Sequence, residues 1–181
     1  MNYGLPTALD VGGVRHKIRS DYRAVLDIIS ALSDCELNNA EKINVLLNIF
    51  YVDNIPDDIE DAINKCFWFI NCGQPERKTR GKKLMDWEQD FPIMIGSINR
   101  VAGTEVRALE YLHWWTFMGY YMDLGDCYFA QVVAIRKKKS EGKKLDKIEQ
   151  DFYKNNREVI NLKVATTTEE DELINKWTGG E

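Results

Sequence analysis

The chain has 181 residues and a net charge of −5 at pH 7, with 44% hydrophobic and 29% charged residues. This composition is typical of a globular protein with one domain-sized core, and it excludes disorder of the whole chain. No apolar run approaches the ~20 residues of a membrane span and no charged-then-apolar leader begins the chain, so we expect a cytoplasmic protein.

The cysteines carry no disulfide or metal-site pattern. They follow no C-x-x-C spacing, and only His16 and His113 could join them around a metal. We therefore expect reduced thiols and no cofactor. The pI near 5.2 argues against a general nucleic-acid-binding protein.

Residues 9–18 alternate between apolar and polar on both sides of Gly12-Gly13. A glycine pair accepts the positive φ angles of a two-residue turn, so the pattern predicts a short β-hairpin. An isolated hairpin is marginal in water, and we expect this one to lie against the helices that follow.

Three amphipathic helices are predicted next. The first has Ser20 as its N-cap and runs to about Leu32; the second begins at Asn38, whose spacing to Glu41 is that of a capping box, and ends near Tyr51. The third has Pro56 in its first turn and ends at Gly73.

Residues 74–83 are polar and basic and are predicted to form a solvated loop. A short helical turn over 84–90 follows. Asp90 can then cap a helix with Pro92 in its first turn, and Gly103-Thr104 ends that helix.

The densest aromatic stretch of the chain is 110–121, within a predicted helix from Thr104 to Gly125. At about 100° per residue, an α-helix would turn one set of side chains toward the core and leave a second set on the flank and the polar strip. The predicted core set is Leu112, Trp115, Met118 and Met122. The predicted partner-binding set is Trp114, Phe117, Tyr120 and Tyr121.

A strongly basic segment, 136–147, follows the next helix, which begins near Phe129. Its candidate contacts for phosphate or for a protein are Arg136, Lys137, Lys138, Lys139, Lys143 and Lys144. A further helix is predicted from Leu145 to about Asn161, and a last short one around Leu173, Ile174 and Trp177. The sequence thus predicts a mainly α, single-domain bundle of about six to eight helices over 1–163, with a Thr-rich and acidic tail over 164–181.

Two constellations could carry chemistry, and neither predicts an enzyme. Glu110 and His113 share a helical face, but no nucleophile or metal ligand accompanies them, so a structural histidine is favoured. Carboxylates at 86, 88 and 90 do not converge on a helix and suit a helix start instead. We expect no catalytic residues and no metal site.

Several stretches occur in a fixed order along the chain: Leu5-Pro6-Thr7, Ile55-Pro56-Asp57-Asp58, Phe67 to Gly73, the basic loop, Asp86 to Asp90, and Glu110 to Trp115. In this order they resemble the bacteriophage gene-product-fifteen family. The resemblance covers Leu5 to Leu162, with Trp68–Gly73 and Tyr111–Trp115 as its most specific parts. Trp87 stands where the family usually has Phe, and the tail lies outside the matched pattern.

The resemblance implies a gene of the tail-morphogenesis cluster of tailed phages or prophages, beside the tape-measure gene. Proteins in that position act as tail assembly chaperones: they coat the hydrophobic tape-measure helix and leave as the tail tube polymerises. No catalytic residues come with the family. A methionine-rich and aromatic helix face would suit such a partner.

We therefore expect a non-enzymatic virion morphogenesis factor in the host bacterial cytoplasm, with the tape-measure protein and other tail proteins as partners. The alternative is a nucleic-acid-binding phage accessory protein acting through 136–147, although no aromatic residues interleave these charges. A second copy of the chain and a host defence sensor are further partners that the sequence leaves open.

Overall fold

The computed structural model of the protein describes residues 4–75 and 82–163. Within these ranges the chain forms two β-strands, eight α-helices and one 3-10 helix. The elements are β1 (Ala8–Val11), β2 (Val14–Lys17), α1 (Tyr22–Ser33), α2 (Asn39–Phe50), α3 (Ile59–Ile70), α4 (Trp87–Ala102), the 3-10 helix (Val106–Ala108), α5 (Trp114–Met122), α6 (Tyr128–Ser140), α7 (Lys147–Asn155) and α8 (Arg157–Ile160). The predicted mainly helical fold with an N-terminal hairpin is confirmed.

The described residues fall into two compact units, and the boundary between them lies within α5. Unit 1 contains 4–75 and Leu109–Met118; unit 2 contains 82–108 and 119–163. A single domain over 1–163 stays a prediction. The predicted 164–181 tail with its last helix, and most of the basic loop, lie outside the described residues.

The hairpin of unit 1 has the predicted turn. Gly12 and Gly13 both have positive φ, +56° and +82°, and the strands pair from Ala8↔Lys17 to Val11↔Val14. Leu9 and Val11 are buried on one face. The Gly12 N–H donates to the Asp61 carboxylate, 3.2 Å away, which fastens the turn to α3.

The helix starts of unit 1 agree in part with the sequence. The Asn38–Glu41 capping box is present. Asp21 and not Ser20 caps α1, because its carboxylate reaches the Arg23 N–H. Asp58 caps α3, so Pro56 precedes this helix and does not lie in its first turn.

Helix α4 of unit 2 begins before the predicted cap. Asp86 caps it by accepting from the Gln89 N–H at 2.8 Å, and Lys83 pairs with the same carboxylate. Asp90 therefore lies inside the first turns, and Pro92 lies inside the helix. The predicted end at Gly103 is correct, with φ +68° at this residue.

The long helix predicted from Thr104 to Gly125 is not formed. Only Trp114–Met122 is α-helical, and residues 109–113 connect it to the 3-10 helix. The reason is a distant partner: Tyr22 N–H donates to Leu112 O, and Trp114 N–H donates to Ser20 O. Backbone groups used between segments cannot also make the i to i−4 bonds of a helix.

The predicted helix from Leu145 to Asn161 is broken at Asn156. The Asn156 side chain donates to Phe152 O and accepts from the Tyr128 hydroxyl, and its backbone leaves the helical region at φ −128°. Helix α7 lies beside a small core of Val132, Ile135 and Ile160 in unit 2. Ile148 on α7 is 82% exposed.

Candidate functional site: an aromatic surface on unit 1

Large apolar side chains come to the surface of unit 1 around the start of α5. Trp68 is 40% exposed, Tyr111 is 52% exposed, and Leu5 is also exposed. Trp115 is half-buried against Trp68, with ring centroids 5.5 Å apart. We call Trp68 and Trp115, which are in contact, together with the exposed Leu5 and Tyr111 of the same unit, the aromatic surface.

The two tryptophans at the start of α5 cap the end of α3. The Trp115 indole N–H donates to Phe69 O and the Trp114 indole N–H donates to Ile70 O, both at 2.8 Å. Phe69 O also accepts from the Cys72 N–H at 3.0 Å, whereas Ile70 O is one of the last carbonyls of α3, which have no partner within the helix; the two indole bonds therefore add a donor to each group. They also fix the Trp115 ring beside Trp68.

Gly73 allows the Trp68 and Trp115 rings to approach the backbone. Its φ is +73°, a left-handed conformation that glycine adopts without strain. A Cβ at this position would lie 3.1 Å from the Trp115 ring and 3.2 Å from the Trp68 ring. The residues that follow α3 therefore lie directly against the Trp68 and Trp115 rings.

The His113 side chain links its own segment to the first turn of α5 and to the N-terminal segment. Its Nδ1 accepts from the Trp115 N–H at 3.0 Å, so the proton of the neutral ring is on Nε2, which donates to Pro6 O at 3.0 Å. His113 is buried, and burial lowers the pKa of its imidazole. The imidazole thus caps α5 and fastens the N-terminal segment that carries Leu5.

Tyr111 is presented by the extended segment before His113. Its hydroxyl lies 2.8 Å from Ser20 Oγ, and the next backbone N–H, of Leu112, donates to the Asp21 carboxylate. Leu112 is buried, whereas Tyr111 is exposed. Glu110, the predicted helical neighbour of His113, lies outside α5.

The structure divides the predicted partner-binding residues. Trp114 and Phe117 are 1% and 0% exposed, so neither forms part of a surface. Phe117 stacks between Tyr22 and Trp114, with centroid distances of 4.5 and 5.8 Å. The predicted core residue Met122 is instead 73% exposed.

Tyr120 and Tyr121 belong to unit 2 and are half-buried. The Tyr121 ring lies 5.1 Å from Trp87, and its hydroxyl donates to the Met85 sulfur at 3.0 Å. Burial raises the pKa of this hydroxyl. Tyr121 therefore packs within unit 2.

Trp68 and Tyr111 were missed by the sequence reasoning, and a signal for one of them existed. Helical spacing in the sequence predicts a buried stripe of Ile59, Ile63, Cys66, Phe67 and Ile70 on α3, and Trp68 lies outside it. Ile59, at the first position of the helix, is 44% exposed, so the stripe is wrong there. A tryptophan off the buried stripe is a candidate contact. Tyr111 gave no such signal, because its segment was expected to be helical.

Most of the predicted basic contacts have protein partners. Arg136 is buried in an ion pair with Asp90, Lys138 pairs with Glu149, and Lys143 pairs with Glu141. Lys139 lies over the Tyr153 ring at 3.7 Å and donates to Asn161. Lys137 and Lys144 are exposed. The segment is thus largely a structural part of unit 2.

Among the described residues, no group of three or more His, Cys, Asp or Glu side chains could hold a metal ion. Of the three clustered carboxylates, Asp86 caps α4 and Asp90 pairs with Arg136. The four cysteines are free thiols, and Cys66 is buried in α3. In the same described ranges, no helix has both the length and the apolar character of a membrane span.

These features define a mainly helical protein with exposed aromatic side chains on unit 1. The sequence model of the Bacteriophage Gp15 protein family matches residues 1–162. The chain therefore belongs to this bacteriophage family. Comparison with curated proteins gave no match, and comparison with solved structures gave none either.

Proposed function

We propose that the chain is a non-enzymatic tail assembly chaperone that binds the tape-measure protein during tail-tube assembly in the host bacterial cytoplasm. Membership of a phage protein family supports a role in the phage life cycle. The observation that carries the proposal further is the aromatic surface, where Trp68 and Tyr111 remain exposed and the Trp115 indole is hydrogen-bonded to Phe69 O.

The chemistry of this surface suits an apolar helix. Tryptophan and tyrosine are enriched at protein interfaces because each offers a large apolar ring with one polar atom. Trp68 extends from α3, and Trp115 is held by its own indole hydrogen bond. A partner helix with apolar residues at i, i+3 and i+4 could cover both rings.

Co-expression with the tape-measure protein of the same phage tests the proposal. We expect the two proteins to co-purify and the tape-measure protein to become more soluble. Trp68→Lys should abolish both effects, whereas Met122→Lys, the same change at an exposed methionine of unit 2, should leave them unchanged. Equal binding by the two variants, or no binding by the wild type, would refute the proposal.

The nucleic-acid alternative has weaker support, because Arg136, Lys138, Lys139 and Lys143 are engaged within unit 2. Phosphate contacts make affinity fall steeply with salt. A mobility-shift assay with DNA and RNA at two salt concentrations separates the two functions. Salt-sensitive binding lost in a Lys137→Glu/Lys144→Glu variant would favour the alternative.

A further inference from the structure

The first turn of α5 has a histidine as its cap. His113 directly precedes the helix, and its Nδ1 accepts from the Trp115 N–H at 3.0 Å. A capping side chain must accept, because the first N–H groups of a helix have no partner within it. Histidine accepts only through a ring nitrogen that carries no proton, so the cap requires the neutral imidazole.

The second ring nitrogen fixes the tautomer. Nε2 lies 3.0 Å from Pro6 O, and a carbonyl oxygen can only accept, so Nε2 carries the proton of the neutral ring. A further proton would bind to Nδ1, where it would face the Trp115 N–H and leave two donors directed at each other. The bond to Pro6 O is unaffected, since Nε2 donates in both forms of the ring.

The surroundings of the ring disfavour a positive charge. His113 is buried, and the rings of Phe69 on α3 and Trp115 on α5 lie edge to face with it, at centroid distances of 5.5 and 6.0 Å. The start of a helix is also the positive end of its dipole. Burial accordingly lowers the pKa of the imidazole, although the Pro6 carbonyl opposes this shift.

The carboxylate of the neighbouring segment already has partners. Asp21 is paired with residue 113 through a backbone bridge, and its carboxylate accepts from the Leu112 N–H at 2.9 Å. The same carboxylate forms an ion pair with Arg23 at 3.1 Å. The charges of Asp21 and Arg23 therefore offset each other beside the histidine.

We propose that His113 makes the aromatic surface pH-sensitive: protonation of the imidazole opens the first turn of α5, loosens the Trp115 ring beside Trp68 and weakens binding of the apolar partner helix. The Trp115 side chain is held by its indole bond to Phe69 O and by the capped backbone of its own residue. Loss of the cap removes one of these two restraints. The binding part of this inference rests on the proposed chaperone function, whereas the structural part concerns the chain alone.

Proton linkage determines the size of the effect. When only the neutral form binds, the apparent dissociation constant rises as the inverse of the neutral fraction, which approaches about tenfold per pH unit below the midpoint of the imidazole. Because the pKa of His113 is lowered, affinity should be nearly independent of pH above ~6.5, the ordinary pKa of histidine.

An NMR titration of the free, ¹⁵N-labelled chain tests the structural part. As the pH is lowered, we expect the His113 imidazole, the Trp115 amide and the Trp115 indole N–H to shift with one common midpoint. The amide of Val132, buried in unit 2, should not follow it. An imidazole that titrates without any change at Trp115, or one that stays neutral until the chain unfolds, would overturn the proposal.

Two histidine variants extend the test to the partner. His113→Asn keeps a side-chain oxygen that can cap α5 but cannot take up a proton, so its affinity for the tape-measure protein should not change between about pH 5 and pH 7.5. His16→Asn removes the other histidine of the chain and is the matched control, which should retain the full pH dependence.

The outcomes separate this proposal from the chaperone function. A pH dependence that persists in His113→Asn, or a wild-type affinity that stays constant while the imidazole titrates, would contradict the role of His113. Absence of binding by the wild type near neutral pH would instead refute the chaperone function, and the NMR titration would still decide whether protonation opens α5.

Discussion

The buried ion pair between Asp90 and Arg136 should be the most sensitive point of unit 2. The side chains are 0% and 5% exposed, and the guanidinium donates to Asp90 Oδ2 at 2.6 Å and Oδ1 at 2.8 Å. The remaining donors reach Leu84 O, Val159 O and Ile160 O. All five N–H groups of the arginine are used, so α4, α6 and α8 depend on one side chain.

Replacing the arginine alone should cost much more than an ordinary core substitution. Arg136→Met leaves a fully buried carboxylate with only the Asp86 N–H as a partner. Breaking a buried pair in this way costs about 3–5 kcal/mol. For a chain of this length, that corresponds to a fall of about 6–20 °C in melting temperature.

Asp90→Leu should cost a similar amount, because it leaves the guanidinium buried without its counter-charge. The double variant Arg136→Met/Asp90→Leu removes both charges, so only the unpaired carbonyls and one N–H group contribute a penalty. We expect it to cost about 3–4 kcal/mol, well below the sum of the single variants, a coupling typical of direct partners.

Urea unfolding monitored by circular dichroism measures these differences in the free energy of unfolding. Lys137→Met, at the exposed neighbouring position, is the matched control and should change stability by less than about 0.5 kcal/mol. A cost below about 1 kcal/mol for Arg136→Met, or strict additivity in the double variant, would refute the role assigned to this pair.

Three further predictions concern Gly73, His113 and Cys66 of unit 1, the first with a control at Gly119 of unit 2. Gly73→Ala should destabilise the protein by about 1–3 kcal/mol, because the residue has a positive φ and the added methyl would contact two indole rings. Gly119→Ala, at a helical position with open space around it, should instead stabilise the protein by up to about 1 kcal/mol. The denaturant midpoints of the two variants test both expectations. His113 has a lowered pKa, so its neutral form stabilises the fold fully above pH ~6.5, and that contribution should decline as pH falls through the lowered value. His113→Asn, which retains a capping side chain, should flatten this part of the pH–stability curve; an unchanged slope would contradict the assignment. Burial raises the pKa of the Cys66 thiol, so alkylation at pH 8 should modify the exposed Cys35 first and Cys66 only on unfolding, as mass spectrometry of timed samples would show.

The features predicted correctly from the sequence are those determined by neighbouring residues. The Gly12-Gly13 turn depends on the φ preference of two adjacent glycines, and the Asn38–Glu41 capping box on residues three apart. Helix periodicity is equally local. These signals are complete within a short window, so they predicted the hairpin and the helical character of the chain.

The candidate site was predicted poorly because distant residues decide it. The division of 110–121 into core and surface positions, at about 100° per residue, holds only if the whole stretch is one helix. Ser20 and Tyr22 instead form backbone hydrogen bonds with residues 112–114 and keep this part extended. The helical spacing places Trp114 at the surface, but its indole N–H donates to Ile70 O and the ring is buried. Neither partner is visible from the periodicity of the segment itself. In the same way, no local pattern indicates that Arg136 is needed by Asp90.

Hydroxyl-radical footprinting of the complex with the tape-measure protein tests the central claim most directly. Trp68 and Tyr111 are exposed in the free chain and should be oxidised readily. In the complex we expect both to be protected several-fold, while Met122, exposed on unit 2, keeps its reactivity. Unchanged oxidation of Trp68 and Tyr111 in a purified complex would contradict the assignment of the aromatic surface as the binding site.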